Sequence, residues 1–189
     1  VVTPDELGEA WSGGRVHATV CVAWNGKTVG LLETGPEMHF HFGQLLAHLA
    51  KTRNVRGYGL EIDPDNIARC LAAGVNVIEA DVDDGLKDFG DGSFDYVVMS
   101  GALQAMQRPD HVVAEILRVG RTGIVTFPNF GHWRVRLALA LGRMPATPAL
   151  PDTWYGTANI HLCTVADFED LCRGRDWRVR RRSLMDHSR

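Results

Sequence analysis

From about residue 44 onward, apolar positions recur alternately at helical and strand spacing, and that alternation predicts βαβ units on a mainly parallel sheet. Leu45, Leu46, His48 and Leu49 read as the end of a helix. Gly57–Ile62 reads as a strand, and Asp63-Pro64 then supplies an N-cap and a proline at the first helical position. The helix runs to about Ala73, where Gly74 suits a left-handed C-terminal position. Val75–Ala80 is a short strand ended by Asp81. Phe94–Ser100 is the clearest buried strand, Pro109 opens a helix with Val112, Val113, Ile116, Leu117 and Val119 on its apolar face, and Gly123–Phe127 is a further strand. His132–Leu141 has helical spacing. The three prolines Pro145, Pro148 and Pro151 then mark a loop. Thr164 with Asp167 begins the last helix as an N-cap with an acid at its third position, and Trp177-Arg178-Val179 is expected to start a final strand.

Upstream of residue 44 the pattern weakens. Thr28–Leu32 is the one candidate strand there, and residues 1–43 read as a divergent region of what is otherwise a single domain over residues 1–189. A chain of 189 residues is large enough to bury a core without disulfides or metals.

Charge narrows the choice of partner. Twenty Lys and Arg against 23 Asp and Glu give a formal charge of −3, so no overall field favours nucleic acid or an anionic membrane. The clustered Arg178, Arg180, Arg181 and Arg182 read as a solvated edge. No stretch reaches the roughly 18 apolar residues of a membrane span, and no signal-peptide order opens the chain. The four scattered cysteines form no CxxC pair and read as reduced thiols. A soluble cytoplasmic protein is the expectation.

Two late stretches carry the densest chemistry: Phe127-Pro128-Asn129-Phe130-Gly131-His132-Trp133-Arg134, and Trp154-Tyr155-Gly156-Thr157-Ala158-Asn159-Ile160-His161-Leu162-Cys163-Thr164. With Gly57–Pro64, Gly74–Ile78, Ser93–Ser100 and Leu103-Gln104, they resemble the MetW family of methionine-biosynthesis proteins over roughly residues 44–180. The resemblance implies an α/β, three-layer, Rossmann-like class I methyltransferase fold with a mainly parallel sheet. Here its first strand and loop are atypical, and its last strand is expected to be missing. It also implies a role in methionine biosynthesis beside homoserine O-acyltransferase, on a scaffold for S-adenosylmethionine (SAM). An active SAM-dependent methyltransferase acting on a small molecule is the alternative.

Ligands of open α/β sheets bind at the carboxyl ends of the strands where strand order reverses. Glu61 stands where a carboxylate can accept hydrogen bonds from both ribose hydroxyls, or else it is a surface strand-end acid. Asp81 is placed either to accept from the adenine amino group or simply to form a turn before Asp83-Asp84-Gly85. Ile62 and Val82 are positioned to sandwich the adenine ring, and Ser100 and Gly43 complete the cofactor-facing set. The glycine-rich loop expected after the first strand keeps one glycine in either register. Counted back from Gln44 it reads His39-Phe40-His41-Phe42-Gly43, and counted on from Leu32 it reads Glu33-Thr34-Gly35-Pro36-Glu37. A SAM site built in the usual way is therefore doubtful from the sequence, and catalytic residues are not assigned. No third ligand accompanies His39 and His41, so no metal site is expected. Asn129, His132, Trp133, Trp154, Tyr155 and His161 are candidates for substrate or partner contact; their aromatic members are of the kind enriched at interface hot spots, or else pack as a lid. Ser100-Gly101-Ala102-Leu103 replaces the Asn-Pro-Pro-Tyr type motif of amino methyltransferases, which disfavours methylation of nucleic-acid bases.

Overall fold

A computed structural model describes residues 28–32, 46–47, 49–51, 54, 56–145, 150, 153–157 and 160–182. Five parallel strands form one sheet: β1 Thr28–Leu32, β2 Arg56–Glu61, β3 Val77–Glu79, β4 Tyr96–Ser100 and β5 Gly123–Thr126. Their spatial order is β3-β2-β1-β4-β5. The candidate first strand is thus the centre of the sheet, with Leu32 opposite Leu60 on one side and Met99 on the other. Order reverses between β1 and β4, so the carboxyl edge near Glu61 and Ser100 is the switch point at which such sheets hold ligands.

Local chemistry sets the helices. In α1, Pro64–Ala72, the Asp63 carboxylate accepts from the amides of Asp65 and Asn66 at 2.8 and 3.3 Å, and Pro64 occupies the first turn, where no amide is required. Gly74 takes φ +73°, the left-handed value expected after that helix. In α2, Pro109–Val119, four of the five predicted apolar positions are buried, and Leu117 is the exception. The helices α3, Trp133–Ala140, and α4, Val165–Gly174, follow β5. A reciprocal Thr164–Asp167 capping box starts α4 as expected.

The core lies between β4 and α2. Val97, Met99, Val112, Val113, Ile116 and Val119 are buried with Leu60, Val82 and Phe94. The strand and the helix approach closely because Gly120 has no side chain: a Cβ there would stand 2.7 Å from Val97 Cγ2 and 2.9 Å from the Ile116 carbonyl oxygen. One guanidinium braces the far side of α2, with Arg118 donating to Glu115, to Asp91 and to the carbonyls of Leu86 and Phe89.

The expected strand at Trp177–Val179 does not form. Trp177 instead donates its amide to the Cys172 carbonyl at 2.9 Å, closing the C-terminus of α4, and its ring packs on the main core. The predicted third strand also shortens, from 75–80 to three residues.

Candidate functional site at the carboxyl edge of the sheet

Glu61 ends β2 and is 1% exposed. Its Oε1 accepts from the backbone amides of Ile62 and Asp63 at 2.8 and 2.9 Å, so the turn into α1 is folded around the carboxylate and fixes it at the switch point. Ile62 beyond it is half exposed. Asp81 is exposed and caps a single 3-10 turn, Val82–Asp84, by accepting from the Asp83 amide at 2.9 Å. Val82 turns inward and is buried in the core, at the same 1% exposure as Glu61. Ser100 is the last residue of β4, paired in register with Thr126, whose hydroxyl accepts from the Gly101 amide at 3.0 Å. Gly43, His39 and His41 lie outside the described residues.

Sequence reasoning missed two side chains that hold this edge together. The Asp83 carboxylate accepts from the Gln107 amide at 3.0 and 3.1 Å and so ties the turn after β3 to the segment after β4. Gln104 lies in a second 3-10 turn, Leu103–Ala105, and is 1% exposed. Its backbone carbonyl accepts from both Ile160 and His161, at 2.9 and 3.0 Å, and its side-chain Nε2 reaches the Pro128 carbonyl at 3.5 Å. Among the described residues its Oε1 is the one buried side-chain polar atom with no partner. The signal was present in the sequence as an amide inside the otherwise apolar run Ala102–Met106 just past a strand end.

The two late stretches are brought together by backbone bonds. Phe130 donates its amide to the Cys163 carbonyl at 3.0 Å. The Asn129 side-chain oxygen accepts from the amides of Gly131 and Val165, at 2.9 and 3.3 Å, so one amide group both closes the turn and caps α4. Gly131 sits close to its neighbours, where a Cβ would stand 3.0 Å from that oxygen and 3.4 Å from Thr164. His161 lies over the segment after β4, with Nε2 3.4 Å from the Gln107 carbonyl. Residues 160–165 are thus a strap across the carboxyl ends of β4 and β5. Asn129, expected as a ligand or partner contact, has its side-chain oxygen committed to this strap.

His132 is the N-cap of α3, its Nδ1 accepting from Arg134 at 3.4 Å. Trp133 is 60% exposed with the Arg134 guanidinium carbon 5.3 Å above its ring. Trp154 and Tyr155 are 73% and 76% exposed and meet edge to face with centroids 5.5 Å apart. These rings are therefore outward groups and do not form a packed lid.

Burial pushes the Cys163 and Cys172 thiols up from their ordinary values, and nearby Asp167 and Glu169 push them further. Among the described residues no three His, Cys, Asp or Glu side chains gather as a metal site, and no helix is long and apolar enough to cross a membrane.

Comparison with solved structures agrees with the architecture. The fold is similar to that of a SAM-dependent methyltransferase from Archaeoglobus fulgidus, with a TM-score of 0.56 and 15% identity over 78% of this chain and 59% of that one. An S-adenosylmethionine-dependent methyltransferase from Mesorhizobium loti gives 0.54 and 16% over 79% and 73%. The cyclase SpnF gives 0.56 and 17% over 90% and 54%. These likenesses establish the class I methyltransferase fold. With a cyclase among its holders, that fold does not dictate methyl transfer.

Sequence comparison goes further. The bifunctional methionine biosynthesis protein MetXA/MetW of Rhodopirellula baltica is 35% identical over 139 residues, 68% of this chain. The chain spans 22% of the length of that curated relative. The family model for methionine biosynthesis protein MetW matches residues 38–189, taking in the two late stretches, Glu61 and Gln104. This chain belongs to the MetW family of methionine biosynthesis proteins.

Proposed function

We propose that this protein acts in methionine biosynthesis by associating with homoserine O-acyltransferase and supporting its activity, with the methyltransferase scaffold serving as an adenosine-binding body. The observation that carries the reading is the R. baltica relative, whose name joins MetXA and MetW in one chain; we take MetXA as its acyltransferase part. Two activities in one polypeptide are held at high effective concentration, an arrangement that suits partners which must meet.

We infer that this edge of the sheet holds the adenosine half of SAM. Glu61 is proposed to accept from the ribose hydroxyls, Asp81 from the adenine amino group, and Ile62 to cover one ring face, while Val82 serves the core instead. Ser100 at the end of β4 and Gly43, which lies outside the described residues, are kept in the proposed set from the sequence. The sequence after Leu32 offers little for the methionine half, because a backbone that must approach a ligand with positive φ needs glycines and the segment has few. No methyl-transfer step is derived. A bound SAM would supply a sulfonium methyl donor in a working methyltransferase and an end-product signal in a partner protein.

The test is a pair of measurements on the full chain. Mixed with the cognate acyltransferase, it should co-elute in gel filtration and raise the acyl-transfer rate. A mixture that elutes as two separate species with an unchanged rate contradicts the proposal.

A further inference from the structure

The helix α3 buries little of itself. Of its eight residues only Val135 is buried, against Phe130 and Leu150 in a small cluster apart from the main core. At about 100° per residue, Trp133, Leu137 and the C-cap residue Leu141 fall roughly 160° to 240° around the axis from Val135, on the opposite side of the helix from it. All three are exposed, Leu141 by 71%. Arg134 and Arg136 flank this stripe at about 100° on either side of Val135. Both are exposed, and Arg134 lies against the Trp133 ring.

Charge around the stripe is one-sided. From Thr122 to Pro151, the stretch that contains α3, the sequence has no Asp or Glu and has the arginines Arg134, Arg136 and Arg143, in a chain whose net charge is −3. An apolar row centred on a tryptophan and edged by guanidinium groups has the composition of an interface hot spot, and a surface complementary to it is an apolar groove with carboxylates on both rims. A second copy of the same face would set arginine against arginine, which argues against self-association through it.

We propose that the Trp133–Leu137–Leu141 stripe, with Arg134 and Arg136 on its flanks, is the surface that docks the acyltransferase. The proposal rests on the partnership argued above. It takes its occupant from the family's fused form, in which the remaining 78% of the relative lies outside the match to this chain. The stripe lies within the family-matched residues and opens with the Trp133-Arg134 end of the first late stretch.

The experiment uses the full chain and the cognate acyltransferase, with affinity read by titration calorimetry and mass by light scattering. Leu137→Asp places a carboxylate in the stripe, and Arg136→Glu reverses one rim. Leu71→Asp is the matched control on α1, at an exposed apolar position outside the stripe. All are surface changes whose folding is checked by circular dichroism. Leu137→Asp should weaken binding on the order of 100-fold and Arg136→Glu on the order of 10-fold, with Leu71→Asp within about twofold of wild type. If wild type binds and both stripe variants bind equally well, the docking surface is elsewhere and the partnership stands. If wild type itself does not bind, the partnership and this surface fall together. If the isolated chain is a dimer that Leu137→Asp splits, the stripe belongs to a second copy and the proposal is overturned.

Discussion

Replacing Asn129 by Ala removes the one side-chain oxygen that accepts from both Gly131 and Val165. Each backbone bond to a neutral side chain is worth about 1 kcal/mol net, so losing the two costs about 2 kcal/mol. A chain of this size loses about 2–4 °C of melting temperature per kcal/mol, giving a fall of about 4–8 °C. Asn129→Asp keeps an acceptor in the same place and sets a negative charge at the N-terminus of α4, where the helix dipole favours it. That variant should melt within about 2 °C of wild type. Thermal melting by circular dichroism reads the stability. Amide hydrogen exchange reads the mechanism, since Gly131 and Val165 should lose protection in Asn129→Ala and keep it in Asn129→Asp. An alanine variant with the wild-type melting point and a protected Val165 amide would refute the strap as described.

Other consequences follow from single residues. Gly120→Ala forces a Cβ against Val97 and the Ile116 carbonyl, and should cost about 1–3 kcal/mol in denaturant unfolding. Glu61→Gln keeps the size of the side chain but weakens acceptance from ribose hydroxyls, so SAM titration should show at least about tenfold weaker binding; unchanged binding contradicts the assignment of Glu61. The Arg118 guanidinium holds the Glu115 carboxyl below its ordinary value. A carboxylate with a depressed folded pKa contributes stability that is full above its unfolded value and lost as pH falls through the folded one. Unfolding followed from pH 7 downward should therefore show Glu115→Gln less stable than wild type at neutral pH, with the gap closing in acid; a gap independent of pH contradicts the pairing.

Features carried by short-range chemistry were legible in the sequence. Asp63-Pro64, the Thr164–Asp167 box and the apolar face of α2 each depend on groups a few residues apart, and each formed where expected. Thr28–Leu32, legible only as a candidate strand, takes the centre of the sheet because two neighbours pair with it, which is information held far along the chain. The expectation at Trp177 failed for the same reason: a β-prone aromatic found a core and a helix end to complete before it found a strand.

At the candidate site, the sequence listed the reactive groups but not the backbone amides they face. Glu61, which the sequence left between a ribose acceptor and a surface strand-end acid, is buried with the turn folded around it. Asn129 reads as a ligand contact, yet its oxygen is committed to Gly131 and Val165. Val82 reads as adenine contact and is core. Trp133, Trp154 and Tyr155 left packing and partner contact equally open in the sequence, and their exposure speaks against the packed reading.

The most direct test of the central claim is the steady-state rate of the cognate acyltransferase on homoserine, measured alone and with a stoichiometric excess of this chain. The account predicts a rate that rises and saturates at one equivalent, with Leu71→Asp as effective as wild type and Leu137→Asp failing to saturate at the same concentration. A rate that does not respond to the wild-type chain at any ratio would contradict it.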